Sequence, residues 1–155
     1  MEAISFFRKC KFNPKIIIGE NVSFGNDIHI GVVSGLTIGN NVLCASNITI
    51  MDHDHGGYSD KSTIQSSPEE PPAFRSIVSE PIVIGDNVHI GEYAIVLKGV
   101  SIGSGSIIGA GSVVTRSIPK NSIAVGNPAR VVKQFDFKYN KWTNVGSSED
   151  SRKVN

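Results

Sequence analysis

The chain has 155 residues, 39% of them hydrophobic, and a net charge of +1. That length predicts one domain, and its scattered lysines and arginines form no block able to neutralise a run of phosphates, so nucleic acid is not expected as a partner. Two cysteines, Cys10 and Cys44, are too few for a disulfide framework and make no C-x-x-C pair, which fits a reducing compartment.

At the N-terminus, Glu2, Arg8, Lys9 and Lys11 interrupt the apolar residues and leave no signal-peptide core. No later stretch approaches 18 apolar residues, so the sequence reads as cytoplasmic, without an integral membrane segment. Residues 1–13 are expected to cap one end of the fold, with Ile4, Phe6 and Phe7 packing there rather than touching a membrane.

From residue 14 a rhythm of six takes over. Ile18-Gly19, Phe24-Gly25 and Ile30-Gly31 open it, with Val22 and Ile28 in the fifth position. The next leader in register is Ile38, followed by Cys44 and Ile50, so two extra residues must bulge out after Ile30. Cys44 reads as a small inward-facing hydrophobe rather than a reactive thiol. Beyond Met51 the rhythm disappears, and residues 52–81 form a long loop carrying His53, His55, two glycines and several prolines. Loops of this length in a compact fold are usually functional or disordered, which makes it the first place to look for chemistry.

Leaders then recur at Ile84, Ile90, Val96, Ile102, Ile108 and Val114 without a slip. A helix face returns every three to four residues and a plain strand every two, so a strict period of six predicts a hexapeptide β-helix. Gly85, Gly91, Gly103 and Gly109 follow the leaders, where a missing Cβ lets the backbone turn or lie close to a neighbouring coil. The fifth positions, Val88, Ala94, Val100, Ser106, Ser112 and Ile118, are small or β-branched, as the inside of a narrow prism requires. Three hexads make a triangular turn, so residues 84–119 supply two coils. Residues 120–142 are expected to cap the last coil, whose strand edges would otherwise stand open, with the aromatics of F-D-F-K-Y-N-K-W packing there, and 143–155 to fray.

The segments I-G-D-N-V-H-I-G (84–91), G-V-S-I-G-S-G-S-I-I-G-A-G-S-V-V-T (99–115) and I-P-K-N-S-I-A-V-G-N-P-A-R-V-V (118–132) resemble the hexapeptide-repeat acyltransferases. Within them the chain looks most like the maltose, galactoside and xenobiotic acetyltransferases and their capsule and lipopolysaccharide O-acetyltransferase relatives. The likeness covers about residues 14–135, and G-N-P-A-R is its most restrictive part. It implies an all-β, left-handed parallel β-helix that assembles as a homotrimer, with acetyl-CoA as co-substrate in grooves between copies, a saccharide acceptor and no metal. A β-helix has no deep internal cavity, so a pocket between copies also makes physical sense.

Attack of a sugar hydroxyl on a thioester needs a base, and histidine, with an ordinary pKa of about 6.5, suits that role. The resemblance puts the base at the start of the long loop, in I-T-I-M-D-H-D-H-G (48–56), and favours His55 with His53 as the rival. Asp52 or Asp54 is expected to orient the imidazole or meet the substrate. His29 and His89 occupy outward sixth positions; His89 stands where relatives usually carry Trp, and a part in the acceptor pocket is open. For acetyl-CoA the resemblance selects Ala110, Gly111, Ser112 and Thr115 against the pantetheine arm and Arg116, Arg130 and Lys133 for the phosphates. Tyr58, Glu70 and Arg75 are candidates for the saccharide. Acetylation of an amine on a nucleotide-linked amino sugar, a trimeric zinc carbonic anhydrase and a non-catalytic β-helix are the alternative readings.

Overall fold

The computed structural model describes residues 5–7, 10–60 and 63–145, with side chains from Lys11 onward. The N-terminal residues give a short antiparallel pair, β1 (Ser5–Phe7) and β2 (Cys10–Phe12). Ile4 and the side chains of Phe6, Phe7 and Cys10 lie outside what is described, so the expected packing of this cap does too.

Four coils follow. The first holds β3 (Lys15–Ile18), β4 (Ser23–Phe24) and β5 (His29–Gly31), and the second β6 (Gly35–Ile38), β7 (Leu43–Cys44) and β8 (Thr49–Met51). Between the second and third coils stands an antiparallel hairpin of β9 (His53–His55) and β10 (Ile77–Ser79). The third coil is β11 (Ile82–Ile84), β12 (His89–Ile90) and β13 (Ile95–Leu97), the fourth β14 (Ser101–Ile102), β15 (Ile107–Ile108) and β16 (Val113–Val114). Equivalent strands pair in parallel into three faces, β3-β6-β11-β14, β4-β7-β12-β15 and β5-β8-β13-β16. The result is the parallel β-helix that the period of six predicts, in the left-handed form that the family resemblance implies.

The interior is built as the hexads imply. Ile38, Cys44, Ile50, Ile84, Ile90, Val96, Ile102, Ile108 and Val114 are essentially inaccessible, as are the fifth-position residues Val88, Ala94, Val100, Ser106 and Ser112. Each large leader contributes about 1.5–3 kcal/mol through burial, before the entropy of ordering it. Burial pushes the Cys44 thiol up to about 11, which keeps it protonated and unreactive at neutral pH. Ile18 and Phe24 take the same inward slots in the first coil, yet are 47% and 39% exposed because among the described residues no further coil stacks beyond β3 and β4.

Coil length varies where the sequence slips. Contacts between the first two coils join residues 20 apart, the loop stretches the next step to 46, and the following one is a regular 18. The last shortens to 16, because Ile118 bridges to the leader Ile102 instead of completing a sixth hexad as its fifth residue. The second of the two predicted C-terminal coils therefore closes early.

The residues that turn the corners differ from those the sequence suggested. Glycines after the leaders have ordinary backbone angles and serve close approach: a Cβ on Gly91 would sit 2.6 Å from the Ala110 nitrogen. The left-handed backbone falls two positions later, at Asn21, Asp27, Asn41, Asn47, Asn87, Tyr93, Gly99, Gly105 and Gly111. Asn and Gly tolerate that region best, which explains the recurrent I-G-x-N spelling.

At the C-terminal end, β17 (Ser122–Val125) continues the second face in parallel, and β18 (Arg130–Asp136) and β19 (Lys141–Asn144) extend it antiparallel. Ala129 and Val131 pack on the core, and Phe135 meets Trp142 edge-on at 5.2 Å. The hairpin runs past the expected boundary: Thr143 and Asn144 are strand residues, and the Val145 N–H donates to the Val132 carbonyl, so fraying does not begin at 143. Residues 146–155 of the expected tail lie outside the described residues.

Candidate active site

The slip after Ile30 and the start of the loop meet in one cluster. Residues 32–35 swing around the corner between β5 and β6, turning three successive N–H groups inward. The Asp52 carboxylate accepts all three, from Val33 at 2.9 Å, Ser34 at 2.7 Å and Gly35 at 2.9 Å, together with the Ser34 hydroxyl at 2.8 Å. Burial pushes this carboxyl up, but the three backbone donors and the hydroxyl outweigh it and hold the group below the usual aspartate range. Asp52 is fully buried, so it cannot meet a substrate as expected; its oxygens are spent on the protein.

Its remaining partner is His53, whose Nδ1 lies 3.1 Å from Oδ1. An ionised carboxylate only accepts, so Nδ1 is the donor of this bond. The ring rests over the bare backbone of Gly31, where a Cβ would come within 3.4 Å of Cε1.

Strand alternation then sorts the neighbours. His53 and His55 share one side of β9, their ring centres 6.3 Å apart, with His55 the more exposed. Asp54 points the other way and pairs with Lys98 at 3.2 Å, while Glu80 stands 3.9 Å from the same ammonium. Asp54 therefore does not orient either imidazole. Val78, opposite Asp54 in the hairpin, shares its side and helps line a cleft of about 230 Å³ with Tyr58, Ser59, Glu80 and Lys98, behind the histidines.

The expected saccharide contacts are woven into the loop. Arg75 donates to the Glu70 carbonyl at 2.9 Å and to the Tyr58 hydroxyl at 2.8 Å, and the Tyr58 hydroxyl donates to the His55 carbonyl. Arg75 and Tyr58 thus brace the backbone of β9 from the far end of the loop. Glu70 contributes its carbonyl to that brace.

The remaining candidates lie elsewhere on the chain. His89 sits on the second face between Leu43 and Ile107, and His29 on the third face beside Thr49; both are exposed, as their sixth positions imply. Ala110, Gly111, Thr115 and Arg116 are exposed along the fourth coil, and Arg130 and Lys133 along β18. Ser112 is a correction: it is fully buried, and its hydroxyl accepts the Gly126 N–H at 3.1 Å, so the side chain cannot reach a cofactor. Among the described residues no three His, Cys, Asp or Glu side chains gather as a metal would require. Among the described residues no helix is long and apolar enough to cross a membrane.

A prism wound from six-residue repeats, with a histidine-bearing loop thrown from one corner, defines a hexapeptide-repeat protein. Residues 81–116 match the family model described as bacterial transferase hexapeptide (six repeats). The chain is 39% identical over 127 residues to WbbJ of Escherichia coli (strain K12), described as a lipopolysaccharide biosynthesis O-acetyl transferase, covering 82% of this chain and 64% of that protein. It superimposes on a galactoside acetyltransferase in complex with coenzyme A at a TM-score of 0.62 and 30% identity, covering 86% of this chain and 72% of the other. A hexapeptide-repeat acetyltransferase of Vibrio cholerae O1 biovar eltor complexed with acetyl-coenzyme A gives 0.67 and 27%, over 78% and 61%. The chain belongs to the hexapeptide-repeat acetyltransferase family. It spans about 64% of the curated relatives WbbJ and the Escherichia coli galactoside O-acetyltransferase.

Proposed function

We propose that this protein transfers the acetyl group of acetyl-CoA to a hydroxyl of a sugar or saccharide, as a cytoplasmic homotrimer with one site at each junction between copies. The acceptor is a building block of a polysaccharide or lipopolysaccharide. The observation that carries the reading is the pair His53 and His55 on one side of β9, fixed from behind by a buried carboxylate and from the loop by Tyr58 and Arg75. The family membership and the coenzyme A complexes of similar proteins support the donor.

In this reading the acceptor oxygen attacks the thioester carbonyl while the His55 imidazole takes its proton. The tetrahedral intermediate collapses, the C–S bond breaks, and the imidazolium returns the proton to the departing sulfur. A positioned base of this kind is worth about 10²- to 10⁴-fold. His55 is assigned over His53 because the family resemblance favours its position and it is the more exposed of the two. The pantetheine arm would lie along the exposed backbone of Ala110 and Gly111 toward Thr115, with Arg116, Arg130 and Lys133 serving the phosphates. A face without deep cavities makes the neighbouring copy the natural second wall.

The test is thiol release from acetyl-CoA against a panel of mono- and oligosaccharides and amino sugars. Acceptor-dependent release with a hydroxyl sugar supports the reading. Release only with an amino sugar replaces it by N-transfer, and none with any acceptor removes it.

A further inference from the structure

The corners of the prism contain one exception. At the left-handed position the chain carries Asn, Asp or Gly at residues 21, 27, 41, 47, 87, 99, 105 and 111, but tyrosine at 93. Tyr93 has φ 59°, a region where a bulky side chain crowds its own backbone. Its ring gains little in return from the fold, being 63% exposed. Strain kept without burial marks a position chosen for something outside the fold of the single chain.

The surroundings indicate what that is. Along this corner the coils hang from one another through the turning residues: Asn47 N–H to Asn26 carbonyl, Tyr93 N–H to Ser46 carbonyl, Gly111 N–H to Glu92 carbonyl, at 2.8, 3.1 and 2.7 Å. Tyr93 therefore stands one coil above Gly111. At Gly111 the space a Cβ would take has no heavy atom within 4 Å, and both it and Ala110 are exposed. An exposed aromatic side chain thus leaves the corner one coil away from a floor of bare backbone. Such a step suits a slender, extended chain whose methyl and methylene groups can lie against a ring while its amides follow the backbone.

We propose that Tyr93 is a donor-binding residue, its ring forming the wall of the groove in which the pantetheine arm of acetyl-CoA lies over Gly111. This rests on the acetyltransferase reading above. Tyr93 also separates two effects that usually move together, because the residue the other corners use would relax the backbone while removing the wall.

The experiment compares wild type with Tyr93→Asn and Tyr93→Phe by thermal unfolding without ligand and by calorimetric titration with acetyl-CoA. Tyr93→Asn is expected to raise Tm and weaken acetyl-CoA binding by about tenfold, whereas Tyr93→Phe, which keeps ring and strain, matches wild type in both. Acetyl-CoA binding unchanged in Tyr93→Asn overturns the proposal, whether or not the KM of the acceptor rises. Wild type that fails to bind acetyl-CoA at all overturns the acetyltransferase reading, and this proposal with it.

Discussion

Ser34 and Asp52 are joined twice, the serine N–H and hydroxyl both donating to the same carboxylate oxygen at 2.7 and 2.8 Å. This joint ties the two irregularities of the repeat together, the bulge after β5 and the departure of the loop after β8. Because Asp52 also holds His53, a defect in the prism is converted into a fixed imidazole.

Removing the carboxylate should therefore be costly. Asp52→Ala leaves three part-buried N–H groups without their acceptor and is expected to destabilise the protein by about 3 kcal/mol, against about 1 kcal/mol for Ser34→Ala, which removes one donor. Urea unfolding of both variants measures the difference. Equal losses would show that the backbone donors find other partners.

The same carboxylate predicts an acid limb. Its pKa is held below the usual 3.8, so the unfolded chain binds this proton more readily than the folded one. The stability it supplies is complete above that usual value and is lost as pH falls through the lower folded value. The gap in unfolding free energy between wild type and Asp52→Asn is expected to stay level from about pH 7 to 5 and to shrink below about pH 4. A gap that persists into stronger acid would contradict the assignment.

His55→Ala is expected to lower the rate of CoA release by about 10²- to 10⁴-fold while leaving assembly and acetyl-CoA affinity intact. His53→Ala should lose less. Steady-state kinetics with both variants decides between them, and the reverse order would move the base to His53.

Lys98 pairs with Asp54 on the opposite side of β9 from the histidines. The pair is partly exposed, so Lys98→Ala should cost under about 1 kcal/mol of stability. Activity should fall severalfold nonetheless, through a rise in the acceptor KM, because the hairpin that aims both imidazoles is released on that side. Unchanged KM with unchanged stability would leave the ion pair without a role.

Two glycines separate close approach from backbone conformation. Gly91→Ala drives a Cβ to 2.6 Å from the next coil's backbone and is expected to cost more than about 3 kcal/mol or to prevent folding. Gly111→Ala meets open space but has φ +67°, and should cost only about 1 kcal/mol. Thermal unfolding of the pair distinguishes the two.

Most of the prism is readable in the chain because one rule is applied repeatedly. Leaders such as Ile84 and Ile90 recur at a spacing that no other regular structure shares, and inward residues are spelled by size. What escaped were features set by three-dimensional partners. The turning role of Asn87 was masked by the glycine two places earlier, since glycine signals both tight turns and close packing. The early bridge of Ile118 depends on how the last coil meets β17. At the site, the loop histidines stood out from their position at the break in rhythm, but Asp52 and Asp54 flank His53 symmetrically in sequence. Only strand alternation and the N–H groups of residues 33–35, some twenty positions away, tell the buried anchor from the outward ion pair.

The inserted loop leaves and rejoins the stack at neighbouring points, after Met51 and before Ile82, with β9 and β10 zipped together between them. The coils above and below meet as though it were absent, Ile38 beside Ile84 and Ile50 beside Val96. The segment between β9 and β10 can therefore drift in sequence or be exchanged for that of a related chain while the stacked coils on either side stay as they are.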